Sequence, residues 1–522
     1  MKVWKLLTNT YFDSVTLMSL SARLKKEQPF SELILLMGTE MNKVMIRDVG
    51  RMNASIEEAK PNDLMIIGET ENEDLVENWF DVIMGGLSAG TKPKDKTERL
   101  YKSIGQAVKT FDANFAVISV PGIYAANEAY NALEQNLNVM LFSDNVSIED
   151  EIALKKLAIE KQLLLMGPDC GTAIINGKGL CFANQVRRGS IGLIAASGTG
   201  LQEVSVLIHK YGGGISQAIG VGGRDLSESV GGLMMLQSLE WLANDESTDC
   251  IVLISKPPHI TVQLKIIEAI KKLKRDGNSK QFVLCFIDGA INEHLIEGIT
   301  YVSTLTEAAI IALKRIGISA EASFDIDPAM HALIDAQRRK LAAGQNKVKG
   351  LYCGGTLAAE ALSVTREVLI GITSNVAKKE SEKMHSCFES KGHNLVDLGD
   401  DIFTQGRPHP MIEPTIRLDR ILQEAENPET GVLLLDFELG FGSHEDPVGI
   451  TYETLKHAQS IAESAGRHLP IVAYVCGTEL DFQMLEFQQA KLMEIGVLVA
   501  NSNLHACKIA VEIVKEVALD ES

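Results

Sequence analysis

Short runs of uninterrupted apolar residues, separated by segments with helical hydrophobic spacing, recur almost from end to end of this chain. They are ELILLMG (32–38), DLMIIGE (63–69), NFAVISVP (114–121), NVMLFS (138–143), LLLMG (163–167), SIGLIAA (190–196), CIVLIS (250–255) and FVLCFID (282–288) in the first part. VKGLYCGG (348–355), NLVDLGD (394–400), GVLLLDFELG (431–440), PIVAYVCG (470–477) and GVLVANS (496–502) follow. A strand with one wet face alternates apolar and polar residues, so a run that is apolar throughout needs cover on both faces, as helices provide in parallel sheets. The expected class is α/β with several parallel-sheet domains. At 522 residues the chain exceeds a single core, and about three or four domains are expected.

Polar stretches mark the breaks: SAGTKPKDKTE (88–98), NQVRRGS (184–190) and EASFDIDPAMHALIDAQRRKLAAGQNK (321–347). The expected division is a small N-terminal α/β domain at 1–110, further α/β domains at 111–189 and 190–320, a charged and partly helical linker at 321–347, and a last domain at 348–522.

A formal net charge of −19 argues against a nucleic-acid surface, which needs clustered Lys and Arg to neutralise phosphates. No run approaches the ~18 apolar residues of a membrane span, and MKVWKLLTNTYFDS is too interrupted for a signal peptide. The eight cysteines show no CxxC spacing, and several sit beside apolar strands, as in DCIVLI and FVLCFI. Reduced thiols and a cytoplasmic location are expected, with no disulfide or zinc site and no other metal.

The stretch IGLIAASGTGLQEVSVLIHKYG (191–212) reads as a buried strand, a turn of small residues and an amphipathic helix. Such a turn aims unpaired N–H groups and the positive helix end at whatever lies above it. Residues 348–363, VKGLYCGGTLAAEALS, repeat the pattern, with SGTGLQE echoed by GGTLAAE. Two such N-termini can face one anion. A dinucleotide is disfavoured because GxGxxG spacing is lacking, and a nucleophilic Ser197 because AASGT is not a GxSxG elbow. A small phosphate or carboxylate remains, beside the plain reading of an ordinary strand-to-helix turn.

Other candidates stand at strand ends. Arg224 and Asp225 follow Gly222 and Gly223, where Arg224 can fork onto an anion or simply pair with Asp225. The loop GDDIFTQGRPHPMIEPT (399–415) gathers Asp400, Asp401, Arg407, His409 and Glu413 between prolines; His409 suits proton transfer or substrate binding, or helps shape a turn. His444, Glu445 and Asp446 follow the strongest strand without metal-ligand spacing.

MGPDCGT (166–172), IGLIAASGTGLQE (191–203), AIGVGGRDLSESVGG (218–232) and IVLISKPP (251–258) follow, in order and spacing, the pattern of the succinyl-CoA synthetase α-subunit. GLYCGGTLAAEA, NLVDLGDD and VLLLDFELGFG resemble the carboxy-terminal ligase domain of its β-subunit. Over nearly its full length, including NVMLFSDNVSIEDEI, GGRDLS and GDDIFTQGRPHPMIEPT, the chain is similar to the FdrA family. The resemblance implies a CoA-binding-like Rossmann domain at 111–189, a flavodoxin-like ligase domain at 190–320 and a second, β-subunit-like one at 348–522, without an ATP-grasp domain.

The resemblance also implies that the paired turns hold a small phosphate, with Ser197, Gly198 and Thr199 on one side and Gly354, Gly355 and Thr356 on the other. Three departures accompany it. The GHAGA loop that carries the synthetase's phosphohistidine is replaced by AINEHLIEG after FVLCFIDG, where His294 has a different setting. The early glycine loop for coenzyme A is not recognisable. Lys256 stands where the synthetase has an acidic residue, so it can neutralise a free anion, or be merely a solvated strand-end lysine.

The FdrA family resembles the large subunit of oxamate carbamoyltransferase of anaerobic allantoin breakdown, which implies phosphorolysis of oxalurate to oxamate and carbamoyl phosphate with two further protein subunits. Lys256 and Arg224 are then expected as anion clamps, and Arg407 and His409 as candidates for the organic carboxylate or for proton transfer. No cofactor is implied. The alternatives are an acyl-CoA synthetase subunit, which would need coenzyme A and ATP, and a non-catalytic scaffold subunit. Neither nucleic acid nor membrane is expected as a partner.

Overall fold

The computed structural model describes residues 2–515 apart from positions 9, 11, 13–16, 18–19, 22, 26–27, 29, 40–41, 44–45, 48–49, 71, 91–100, 111, 290–297, 321–323 and 405–406. His294 therefore lies outside the described residues. Contacts divide the chain into two units, Met1–Leu100 with Asp401–His409, and Tyr101–Asp400 with Pro410–Ser522. No helix among the described residues is long and apolar enough to cross a membrane.

In the first unit, β1 (Lys2–Leu7) and β2 (Phe30–Met37) flank β3 (Leu64–Thr70), both antiparallel to it. The expectation of parallel pairing for the runs at 32–38 and 63–69 is corrected here. Both faces of β3 are covered, with Leu64 and Ile66 in one apolar cluster and Met65 and Ile67 in another. Two-sided burial makes a run apolar throughout whichever way its neighbours point.

The second unit holds three sheets. A parallel three-stranded one comprises β4 (Phe115–Ile118), β5 (Asn138–Leu141) and β6 (Leu165–Met166). The next has the order β13-β12-β11-β9-β10-β7-β8. Its parallel members are β9 (Arg188–Ala195), β10 (Ile215–Gly220), β11 (Cys250–Ser255), β12 (Gln281–Phe286) and β13 (Ile299–Val302). The hairpin β7 (Thr172–Ile175) and β8 (Lys178–Cys181) closes one edge antiparallel to β10. The third sheet is wholly parallel, β15-β16-β14-β17-β18-β19, built from β14 (Lys347–Tyr352), β15 (Thr373–Ser374), β16 (Asn394–Asp397), β17 (Thr430–Glu438), β18 (Ile471–Cys476) and β19 (Leu498–Ala500). The α/β class and its succession of parallel sheets follow the apolar runs. All eight cysteines are free thiols, six of them buried.

The two larger sheets share one apolar core through four helices: α1 (Gly198–Lys210) and α2 (Leu305–Arg315) from the first, α3 (Gly355–Thr365) and α4 (Asn503–Val514) from the second. Leu201, Leu207, Leu305, Leu313, Leu357 and Ala510 are fully buried there; each such Leu contributes about 1.5–3 kcal/mol. The helices also exchange carboxylates. Glu360 of α3 accepts from the Leu305 N–H at the start of α2 (2.6 Å), and Glu203 of α1 accepts from the Asn503 N–H at the start of α4 (3.3 Å). Asn503 Nδ2 donates to Glu360 (2.8 Å), so the two carboxyls belong to one buried polar cluster. Burial is the main reason that both are pushed up to about 7.

Candidate functional site

Each glycine turn sits where a central parallel strand hands the chain to a helix, β9 to α1 and β14 to α3. Ser197 caps α1: its backbone is extended and its Oγ accepts from the Gly200 N–H at 2.9 Å. The same Oγ donates to Thr356 Oγ1 at 2.6 Å, which joins the first turn to the second. The approach is close enough to require glycine. A Cβ on Gly200 would stand 2.7 Å from Ser197 Oγ and 3.1 Å from Thr356 Cγ2, and one on Gly354 would stand 3.0 Å from the Thr199 side chain.

As first residues of their helices, Gly198, Thr199, Gly355 and Thr356 have N–H groups without intrahelical acceptors. Ser197, Gly198, Thr199, Gly355 and Lys256 are half-buried, so the cluster reaches solvent. Two further groups flank it. The point where a Gly355 Cβ would lie is 2.9 Å from Lys256 Nζ and 2.2 Å from Asp397 Oδ2. On the other side, Thr172 Oγ1 is buried with no hydrogen-bond partner among the described residues and lies 3.4 Å from the equivalent point on Gly198. Two helix N-termini with an ammonium beside them favour an anion.

A buried ion pair fixes the second turn from beneath. Asp436 of β17 accepts from the Cys353 N–H at 2.8 Å and from the Gly354 N–H at 2.9 Å. Arg417 donates to Asp436 Oδ1 (3.3 Å), the Leu351 carbonyl (3.2 Å) and Cys353 Sγ (3.1 Å), with its guanidinium 4.6 Å from the centre of the Phe437 ring. Cys353, Asp436 and Glu438 place three possible ligand atoms within 4.8 Å of one another. The Arg417 guanidinium supplies the positive charge that a metal ion would bring to that group. Burial, and to a lesser degree the neighbouring Asp436, push the Glu438 carboxyl well above the usual carboxylate range.

Asp397 ends β16, opposite Tyr352 in the register of β14. Burial raises its carboxyl to about 7 against the opposing pull of Lys256 and the Gly399 N–H, while Asp400 and Asp436 add to the rise. In the sequence Asp397 falls inside the strand run NLVDLGD, where an acidic residue closing an apolar run at a strand's carboxyl end is a legible signal.

Ser197, Gly198, Thr199, Gly354, Gly355, Thr356 and Lys256 thus come together. Arg224 does not join them through any described bond. It pairs with the Glu151 carboxylate at 2.9 Å and donates to the Val146 carbonyl at 2.7 Å. Its neighbour Asp225 is fully buried, bonded to Lys155 Nζ at 2.7 Å and to the Met234 and Met235 N–H groups at 3.1 and 2.9 Å. Arg407 and His409 lie in the other unit, within Asp401–His409, and the Arg407 side chain is exposed.

Three family models match the chain: an AllF heavy metal-associated domain at residues 1–101, a CoA binding domain at 186–274 and CoA-ligase at 351–513. The CoA binding match falls on the segment that the sequence reading assigns to the first ligase-like domain. Residues 1–101 contain neither Cys nor His, so the thiolate and imidazole donors preferred by soft and borderline metals are missing, and the residues do not fit a heavy-metal centre.

The α-subunit 2 of an ADP-forming succinate–CoA ligase from Archaeoglobus fulgidus is 28% identical over 187 residues, 34% of this chain and 63% of that protein. An acetyl-coenzyme A synthetase from Ca. Korarchaeum cryptofilum superposes with a TM-score of 0.31 at 13% identity, covering 82% of this chain and 89% of the other. YahF of Escherichia coli (strain K12) is 46% identical over 511 residues, 97% of each chain. Agreement at that level from one end to the other shows that this chain, with its AllF-type, CoA binding and CoA-ligase matches, belongs to the YahF family.

Proposed function

We propose that the chain is the large subunit of an FdrA-type oxamate carbamoyltransferase, with phosphate bound over the paired turns and Lys256 as its counter-charge. The observation that carries this reading is the Ser197–Thr356 hydrogen bond, which makes one donor cluster of two helix N-termini. Phosphorolysis of oxalurate needs a phosphate cradle and a cation for the charge that develops on the departing group. The Gly198, Thr199, Gly355 and Thr356 N–H groups, the Thr172 hydroxyl and Lys256 answer that need. The AllF-type match at 1–101 fits a place in allantoin breakdown. Arg224 would have to leave Glu151 to serve as a second clamp, and Arg407 and His409 remain candidates for the organic carboxylate or for proton transfer.

The second reading, an acyl-CoA synthetase subunit, is favoured by the CoA-ligase and CoA binding matches. It calls for coenzyme A and ATP, and for a phosphorylated His in a GHAGA loop, where this sequence has AINEHLIEG after FVLCFIDG. The test is to purify the chain with its natural partner subunits and offer two mixtures in parallel. One holds oxamate with carbamoyl phosphate; the other holds ATP, coenzyme A and a panel of small carboxylic acids. Phosphate release that requires oxamate, reduced about 100-fold or more by Lys256→Ala, is expected in the first. Thioester, or a histidine-linked phosphate on this chain, would promote the ligase reading instead.

A further inference from the structure

We infer that Asp397 is the proton-transfer group of this site, carrying a proton between the amide nitrogen and the phosphate oxygen that exchange places on the carbamoyl carbon. The inference rests on the phosphate reading above and adds a residue that reading does not use.

Asp397 is held like a working group. Its backbone N–H donates to Asn375 Oδ1 at 2.9 Å, and Asn375 Nδ2 donates back to its carbonyl at 2.9 Å, so one side chain pins both sides of the residue. Oδ1 accepts from the Gly399 N–H at 2.9 Å. Oδ2 has no hydrogen bond among the described residues and points at the first residue of α3, where the glycine at 355 leaves open the space shared with Lys256 Nζ. A β-carbon there would collide with both. The charged and titratable groups facing Asp397 are Lys256 after β11, Asp400 beyond β16, Asp436 on β17 and the Cys353 thiol at the end of β14. A carboxyl that titrates near neutrality, beside an anion cradle and within the field of the Lys256 ammonium, has the properties required of a general acid–base.

The chemistry needs one. In the synthetic direction the oxamate nitrogen uses its lone pair to form the new C–N bond, and the C–O bond of carbamoyl phosphate breaks with its electron pair going to the phosphate oxygen. The nitrogen must shed one proton and the departing phosphate must gain one. Ionised Asp397 takes the first and delivers it to the second, and no other reactant is consumed. In phosphorolysis the same proton travels from hydrogen phosphate to the leaving amide nitrogen, which would otherwise depart as a strongly basic anion.

The experiment uses the full chain with its partner subunits and reads two quantities: binding of inorganic phosphate by calorimetry, and turnover of oxamate with carbamoyl phosphate across pH 5.5 to 9. Wild-type turnover should rise with pH through about 7, because the base must be ionised. Asp397→Asn should bind phosphate at least as tightly, having lost a nearby negative charge, while turnover falls about 100-fold or more and the ascending limb disappears. A variant that retains both phosphate binding and the limb overturns the role of Asp397 and leaves the phosphate site standing. Wild-type protein that binds no phosphate, or binds it equally well as Lys256→Ala, overturns the site itself. Should Asp397→Asn fail to fold, the wild-type profile still decides: a flat profile between pH 6 and 8 contradicts the inference.

Discussion

Gly355→Ala is the substitution in which stability and function should part most clearly. Gly355 opens α3 at its first position without a positive φ, so alanine would by propensity alone gain at most about 0.5–1 kcal/mol, the value for a helix interior. The added methyl would, however, lie 2.2 Å from Asp397 Oδ2, 3.2 Å from Asp397 Cγ and 2.9 Å from Lys256 Nζ. Ordinary contact begins near 3.4 Å, so the carboxylate must move by about 1 Å, which strains its bond from Gly399. Overpacking of this kind costs about 1–3 kcal/mol. The net expectation is a loss of about 0–3 kcal/mol with the fold intact, together with loss of measurable phosphate binding. Gly85→Ala in the helix Glu73–Gly90 is the control, because nothing lies within 4 Å of its added methyl; there the gain of about 0.5–1 kcal/mol should appear undiminished. Urea unfolding and phosphate calorimetry on both variants supply the comparison. A Gly355→Ala protein as stabilised as the control, binding phosphate like the wild type, would show that the space beside Lys256 and Asp397 is not the anion site.

Two further outcomes are expected. Lys155 is fully buried between Glu151 and Asp225, at 2.7 Å from each; Lys155→Met leaves the buried Asp225 carboxylate without its cation, Glu151 keeping Arg224, and should cost about 3–5 kcal/mol in urea unfolding, whereas a loss below about 1 kcal/mol would contradict that role of the ion pair. Glu203 and Glu360 are raised from 4.5 to about 7 in the folded chain, so between those values the native state keeps protons that the unfolded state has released. Stability contributed by the pair is therefore complete below about pH 4.5 and lost as pH rises through about 7. Glu203→Gln should flatten the dependence of the urea midpoint over that window, and an unchanged slope would count against the cluster's titration there.

Much of this was legible in residue order. Continuous apolar runs gave the α/β class, and the repeated Gly-Thr turn marked the two helix N-termini that the hydrogen bond between Ser197 and Thr356 joins. What stayed hidden was whatever depends on distant partners. The strand Lys2–Leu7, with its interleaved lysines, and the hairpin Thr172–Cys181 carry weak apolar signals of their own and are placed by pairing with β3 and β10. Arg224 reads as an anion clamp or as a partner of Asp225, and its actual partner, Glu151, stands more than seventy residues earlier. Arg417 acquires meaning only when β14 and β17 lie side by side, because it belongs to no local motif, and the position of Asp397 at a strand end does not reveal Lys256 and Gly355 beside it.

Whether one phosphate is held by both turns is decided by a crystal structure of the protein grown with inorganic phosphate, compared with one of Lys256→Ala. Tetrahedral density is expected within hydrogen-bond reach of N–H groups from both Gly198–Thr199 and Gly355–Thr356 and of Lys256 Nζ, absent or much weakened in the variant. Phosphate bound elsewhere, or at one turn alone and indifferent to Lys256, would contradict it.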